Sequence, residues 1–364
     1  MTRVAPLRRL ARLARKRSPI AIGGTVHQAI ERELGCRRTL HALTRAAKHD
    51  GPVVAGPFIG EVGFELLYWI PFLRRLLAGH DVDPDRVVSF TRGGAGAWYG
   101  DFASRSVEVF DLMPAGEFVP ALHRQRQAAG HARQIRIGAL ERELIRRLAA
   151  PMQEATILHP RLVYRQFRHV WDGLEPVSSV RDQARFRPLA RTARRLDALD
   201  LPADYVAVKP YFNTCFPDTA ANRRFLHELL TSLSEVTEVV VMATRSPLDD
   251  HAEWTSTPSG VRLIGDLEPR ENLAVQTEIV AGASALLSTY GGFSYLGPLV
   301  DVPTHALYSL ETFNAIHLAA MLENAEPRAY ELVRAGDPRA VEALVAAARG
   351  SRAPERPITS VPAE

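Results

Sequence analysis

The chain has 364 residues, of which 46% are hydrophobic and 24% charged, and a formal net charge of +4. That length supports two α/β domains with substantial cores, and no run reaches the ~18–20 apolar residues that a membrane-spanning helix requires. The two cysteines, Cys36 and Cys215, form no Cys-x-x-Cys pair, which argues against a disulfide scaffold or a thiolate zinc centre and fits a reducing cytoplasm.

Residues 1–17 carry seven basic side chains and no acidic one, with Leu7, Leu10, Leu13 and Ala14 at helical spacing. This is either a basic tail or an amphipathic helix resting on an anionic membrane surface. Nucleic acid is not an expected partner, because no aromatics interleave the basic stretch. Residues 18–50 read as loosely organised helix. Residues 52–58 follow as a buried strand, 59–63 as a loop and 64–77 as an apolar helix that Pro71 should kink. A second strand is expected at 86–90, a third βα unit near 107–128 and an amphipathic helix at 135–150. Residues 151–200 read as a linker.

A second regular block starts with a strand at 205–211. It continues with a helix at 219–234, strands at 238–243 and 261–264, a helix at 271–282 and a strand at 285–288. A glycine-rich turn, Ser288-Thr-Tyr-Gly-Gly-Phe-Ser294, then opens a short helix before another apolar strand that ends at Tyr308. A last helix is expected near 337–349, and the final residues, rich in Pro, Arg and Ser, read as a disordered tail. Alternating strands and helices imply parallel sheets. The fold class is α/β, with two Rossmann-like domains facing a cleft and meeting near residues 180–200.

Candidate chemistry lies at the strand carboxyl ends, where ligands of such sheets sit. The turn at Thr289, Tyr290, Gly291, Gly292, Phe293 and Ser294 opens a helix, so its N–H groups either hold an anion or simply make a turn. Only three of the 45 basic residues are lysines, and Lys209 alone lies in the second block. It is a phosphate partner or a solvated strand end. Arg245 either meets a second phosphate or pairs with Asp249 or Asp250. Glu61, between Gly60 and Gly63, is a general base or a helix-start carboxylate, with Glu65 as runner-up. His159, Tyr164 and Arg165 suit an acceptor cleft or a packed linker, and no histidine–carboxylate spacing suggests a metal. No dinucleotide fingerprint, P-loop or nucleophile elbow is present.

The run Gly60-Glu-Val-Gly-Phe-Glu-Leu-Leu-Tyr-Trp-Ile-Pro-Phe-Leu-Arg-Arg-Leu76 resembles the first loop and helix of GT-B glycosyltransferases of the heptosyltransferase type. That loop carries Gly-Asp ahead of an apolar helix with an internal proline; Gly60-Glu61 stands in its place. Residues 205–308 are similar to the donor half of such enzymes and of bacterial fucosyltransferase-like proteins. Lys209 and the 288–294 turn match the positions that hold the diphosphate.

The resemblance spans about 52–310. It implies a basic helical extension at 1–50, an acceptor domain at 51–195, a nucleotide-sugar domain at 196–350 and a tail at 351–364. It further implies a cytoplasmic transferase with no cofactor or metal. A nucleotide sugar would be its co-substrate and a glycan, lipid-linked or small-molecule hydroxyl its acceptor, with Glu61 as the base. The rival readings are a non-catalytic binder of nucleotide sugars or glycans, and an epimerase or pyruvyl transferase on the same frame.

Overall fold

The computed structural model describes residues 44, 50–149, 152, 154–189, 199–244, 251–254, 256–312, 315–325, 329–337 and 339–350. The basic extension (apart from residues 44 and 50), Arg245 and the tail at 351–364 lie outside the described residues.

Two separate parallel sheets carry the chain. The first is ordered β3-β2-β1-β4, from β1 (Val53–Ala55), β2 (Val87–Thr91), β3 (Arg105–Glu108) and β4 (Thr156–Leu158). The second contains β5 (Tyr205–Lys209), β7 (Glu238–Met242), β9 (Arg262–Ile264), β10 (Ala285–Thr289), β11 (Thr304–Tyr308) and β12 (Tyr330–Arg334). Its order is β12-β11-β10-β5-β7-β9, and every pairing is parallel. Central strands such as β1, β5 and β10 are buried throughout. Helices cover both faces of such sheets, so their strands are apolar in a run rather than alternately. A two-stranded antiparallel ribbon, β6 (Tyr211–Phe212) with β8 (Ala252–Glu253), leaves the end of β5.

Helix α1 is continuous through Val62–Phe64, a π-helical stretch at Glu65–Trp69 and Ile70–Ala78. Pro71 cannot donate to the carbonyl four residues back. The expected kink takes the form of this wide turn, which absorbs the missing bond ahead of the proline. Helices α2 (Ala115–Ala129) and α3 (Ala139–Ala149) follow in the first half. The helix expected at 135–150 starts only at Ala139. Glu141 accepts the Gly138 N–H at 2.9 Å and Gln125 accepts the Leu140 N–H at 2.9 Å, which ends the loop there. Ile135, expected on an apolar helix face, is 40% exposed.

The linker expected at 151–200 is likewise more regular. Thr156–Leu158 is an edge strand on β1, and Arg161–Gln166 and Arg168–Trp171 are short helices packed on the core. In the second half come α4 (Ala220–Ser234), α5 (Asn272–Gly282), α6 (Ala315–Asn324) and α7 (Ala340–Gly350). The sequence reading did not identify β12 or α6.

The halves meet through α5 and through two glycines. Helix α5 is buried on every side from Asn272 to Val280, its polar Asn272, Gln276, Thr277 and Glu278 included. Its Ala274 N–H donates to Gly93 O at 2.9 Å, and Trp98 Nε1 donates to Thr277 Oγ1 at 3.0 Å. The loop before α1 then meets the glycine-rich turn after β10. A Cβ on Gly63 would stand 2.7 Å from Gly292 Cα, and one on Gly292 would stand 2.5 Å from Gly63 N.

Gly292→Ala should therefore lower stability by about 1–3 kcal/mol, the usual cost of overpacking where the obstacle is backbone. Gly116→Ala in α2, where an added Cβ meets nothing within 4 Å, should instead gain about 0.4–1 kcal/mol. Urea unfolding of both variants decides the matter; equal shifts would mean that the two backbones separate at no cost.

Candidate active site

The carboxyl ends of the two sheets point into this junction. Glu61 stands just past β1, at the extended position that starts α1, and its carbonyl accepts the N–H groups of Phe64 and Glu65 at 3.1 and 3.2 Å. Its side chain makes no capping hydrogen bond to the helix, which weakens the helix-start reading. Burial, and after it the charge of Glu61, push the pKa of the Tyr164 phenol up. Tyr164 stacks on Phe64 with ring centroids 5.4 Å apart. Gly60, Gly63, Glu61 and Tyr164 thus gather in one place.

The loop that carries Glu61 is held from behind. Arg92, at the end of β2, donates to Gly60 O at 2.6 Å. Gln134 Oε1 accepts the Ile59 N–H at 3.0 Å while its amide nitrogen donates to Pro57 O at 2.9 Å. Behind Arg92 lies Glu65, 0% exposed in the π-helical stretch. One oxygen accepts Thr91 Oγ1 at 2.7 Å and Tyr99 OH at 2.6 Å; Oε2 has no hydrogen-bond partner among the described residues. Burial pushes the carboxyl up to about 7, against the pull of Arg92 and the two hydroxyls. Glu108 is also pushed up to about 7 by burial. It accepts the N–H groups of Gly93 and Gly94 at 3.0 and 2.8 Å, so the chain's own carboxylate fills that glycine nest.

His159 follows β4 and is 2% exposed. Burial and the charges of Arg161 and Arg165 lower its pKa to about 3, so it is neutral at pH 7. Its Nδ1 accepts the Arg161 N–H at 3.1 Å, which leaves the ring proton on Nε2, an atom without a partner among the described residues. His159 and Arg165 belong together.

In the second half Lys209 ends β5. It is 5% exposed, so the solvated strand-end reading fails. Its ammonium donates to Thr244 Oγ1 at 3.2 Å and lies 5.8 Å from the ring centroid of Phe293. Lysine and turn are therefore adjacent, as expected.

The hydroxyls of the turn serve the fold. Thr289 Oγ1 bridges the backbone N–H and carbonyl of Tyr211 at 3.0 and 2.7 Å. The Tyr290 N–H bonds Leu307 O at 2.8 Å, and its hydroxyl accepts Tyr295 OH at 2.9 Å. Ser294 Oγ lies 2.8 Å from Gly291 O and 2.8 Å from Tyr330 OH. Gly291, at φ 157°, would drive any Cβ into Tyr211 OH.

Sequence reading missed the supporting residues. Asn213 accepts the N–H groups of Cys215 and Phe216 at 3.0 and 2.9 Å and donates to Tyr290 O at 2.9 Å, tying the segment after β6 to the turn. Its signal was an Asn two residues before a Cys-Phe pair, a turn pattern with no hint of the long-range partner. Tyr68 OH meets His317 Nδ1 at 2.7 Å, joining α1 to α6.

Glu65 sets a pH dependence. Below about 4.5 the carboxyl is protonated in folded and unfolded chains alike. As pH rises toward 7 the unfolded chain loses this proton first, so stability falls through that window. Glu65→Gln keeps the acceptor for Thr91 and Tyr99 and cannot ionise. Between pH 4 and pH 8 the variant should gain on the order of 1–3 kcal/mol relative to wild type. Urea midpoints at pH 4, 6 and 8 test this, and parallel curves would contradict it.

No protein-family model and no curated protein matches the chain. Its structure is similar to ADP-heptose lps heptosyltransferase II of E. coli, at 12% identity and TM-score 0.45 over 83% of this chain and 98% of that one. It is similar to E. coli heptosyltransferase WaaC with ADP, at 13% identity and TM-score 0.42 over 82% and 98%. It is also similar to UDP-GlcNAc 2-epimerase from Methanocaldococcus jannaschii, at 9% identity and TM-score 0.34 over 80% and 91%. At these identities and TM-scores the chemistry is read from the chain's own residues.

Proposed function

We infer that the protein is a glycosyltransferase that moves a sugar from a nucleotide-activated donor to a hydroxyl acceptor. The reading rests on one observation above the rest. Lys209, a buried cation beside Phe293 of the glycine-rich turn, and Glu61, a carboxylate on the opposing loop, are brought to one junction by the contact of Gly63 with Gly292.

In the proposed step Glu61 takes the proton of the acceptor hydroxyl. The freed oxygen pair forms the new bond to the anomeric carbon, and the sugar–diphosphate bond breaks with its electron pair on the diphosphate. Lys209 offsets that growing negative charge, with Arg245 as a second candidate cation, and a cation built into the protein lets the step run without a metal. The donor would lie against the second sheet and the acceptor against the first, near Tyr164. A glycan or lipid-linked acceptor suits the basic residues 1–17.

Two substitutions separate the roles. Glu61→Gln should cut transfer by about 10²–10⁴ and leave nucleotide affinity within about twofold, because on this reading the donor lies against the second sheet. Unimpaired transfer would remove Glu61 and turn attention to Glu65 and His159. Lys209→Met keeps the stem and deletes the charge. It should weaken nucleoside diphosphate binding by roughly 1–3 kcal/mol, read by calorimetric titration after a thermal-shift screen of UDP, GDP, ADP, CMP and TDP. Conversion of a nucleotide sugar to its epimer with no acceptor present would replace the transferase reading.

A further inference from the structure

Between Gly130, which ends α2, and Ala139, which starts α3, the chain encloses a cavity of about 460 Å³ with the facing turns of both helices. Volumes of this order hold small organic ligands. Arg126, Arg133, Arg136 and His131 line it, against the single carboxylate of Glu141. Glu141 is committed to the loop itself: it accepts the Gly138 N–H at 2.9 Å and Gln134 Nε2 at 3.4 Å.

Arg126 is 8% exposed. A guanidinium held almost out of water inside a concave wall focuses positive potential into the space it faces. The guanidinium forks of Arg126 and Arg136, against one carboxylate already engaged by the loop, favour a doubly charged oxyanion over a single carboxylate or a neutral polyol.

The cavity also touches the loop that bears Glu61. Ile59 lines it, and Gln134, another lining residue, holds the Ile59 N–H at 3.0 Å and Pro57 O at 2.9 Å. Arg133 reaches from the cavity wall to lie 5.6 Å from the centroid of the Phe64 ring. Occupation of the cavity would therefore steady the two groups, Gln134 and Arg133, that flank residues 57–64.

We propose that this cavity is a binding site for a phosphate monoester, separate from the turn beside Lys209, and that its occupation stiffens the loop carrying Glu61. The site does not depend on the transferase reading.

Calorimetric titration of the full chain with glucose 6-phosphate at low ionic strength tests it, with glucose and gluconate as neutral and carboxylate controls. Vesicles with and without phosphatidic acid form a second arm, which separates a lipid source of the monoester from a soluble one. Saturable binding of one monoester is expected, lost with added salt and weakened at least about tenfold by Arg126→Gln and by Arg136→Gln, the range for a deleted charged hydrogen bond. Arg136 is exposed, so its variant keeps the test open where Arg126→Gln fails to fold. Arg75→Gln, in a different basic cavity, and Lys209→Met should leave the affinity unchanged. Exchange of the Ile59 amide should slow on binding. Absence of saturable binding by either monoester, equal binding by gluconate, or insensitivity to Arg136→Gln would overturn the proposal. Binding here without any turnover of nucleotide sugars would leave the site standing and reject the transferase reading alone.

Discussion

Two backbones touch at Gly63 and Gly292, and the junction between the halves is arranged around that contact. Neither position has room for a methyl group, because the obstacle on each side is main chain. The contact fixes where α1 begins and where the turn after β10 ends. Glu61 is thereby carried to one side of the junction and Phe293 with Lys209 to the other. Shift either backbone by the radius of a methyl group and the two candidate charges lose their common space.

Each loop is rigid because polar groups behind it are spent on holding it. In the first half Arg92 and Gln134 grip the backbone on either side of Ile59, and hydroxyls and glycine N–H groups engage the buried Glu65 and the half-buried Glu108. In the second half Thr289, Ser294 and Asn213 tie the turn to β6, to Tyr330 and to its own carbonyls. A satisfied network of this kind orients a loop more firmly than apolar packing does, since a displaced member leaves a buried group unsolvated. Glu65 keeps one buried oxygen without a partner among the described residues, and burial moves it toward its neutral form.

The strands were legible because buried parallel strands announce themselves as short apolar runs, as in Val53–Ala55 and Glu238–Met242. Helix limits were less so. Ile135 and Ile137 continue the spacing of α3 backwards, yet Gly138 and the side chains of Glu141 and Gln125 stop the helix first. Local periodicity cannot register a cap supplied by another helix. Edge elements such as β4 and β12 were missed or misread because a strand paired on one side keeps too few apolar residues to stand out. At the site, glycines marked both loops, and their chemistry marked Glu61 and Lys209. The burial of Lys209 and the grip of Arg92 were not legible, since they depend on neighbours more than thirty residues away in the chain.

Helix α5 has no solvent face. One side belongs to the second sheet, and its other side supplies the surface on which Gly93, Gly94 and Trp98 of the first half rest. Pulling the halves apart like a book would strip that side bare. At roughly 25 cal/mol per Å², a few hundred Å² of newly wetted apolar surface costs several kcal/mol, comparable to the whole net stability of a domain. Sliding along α5 keeps it covered and is far cheaper. The same helix makes melting a shared event: once the second half unravels, the first loses the wall it was built against.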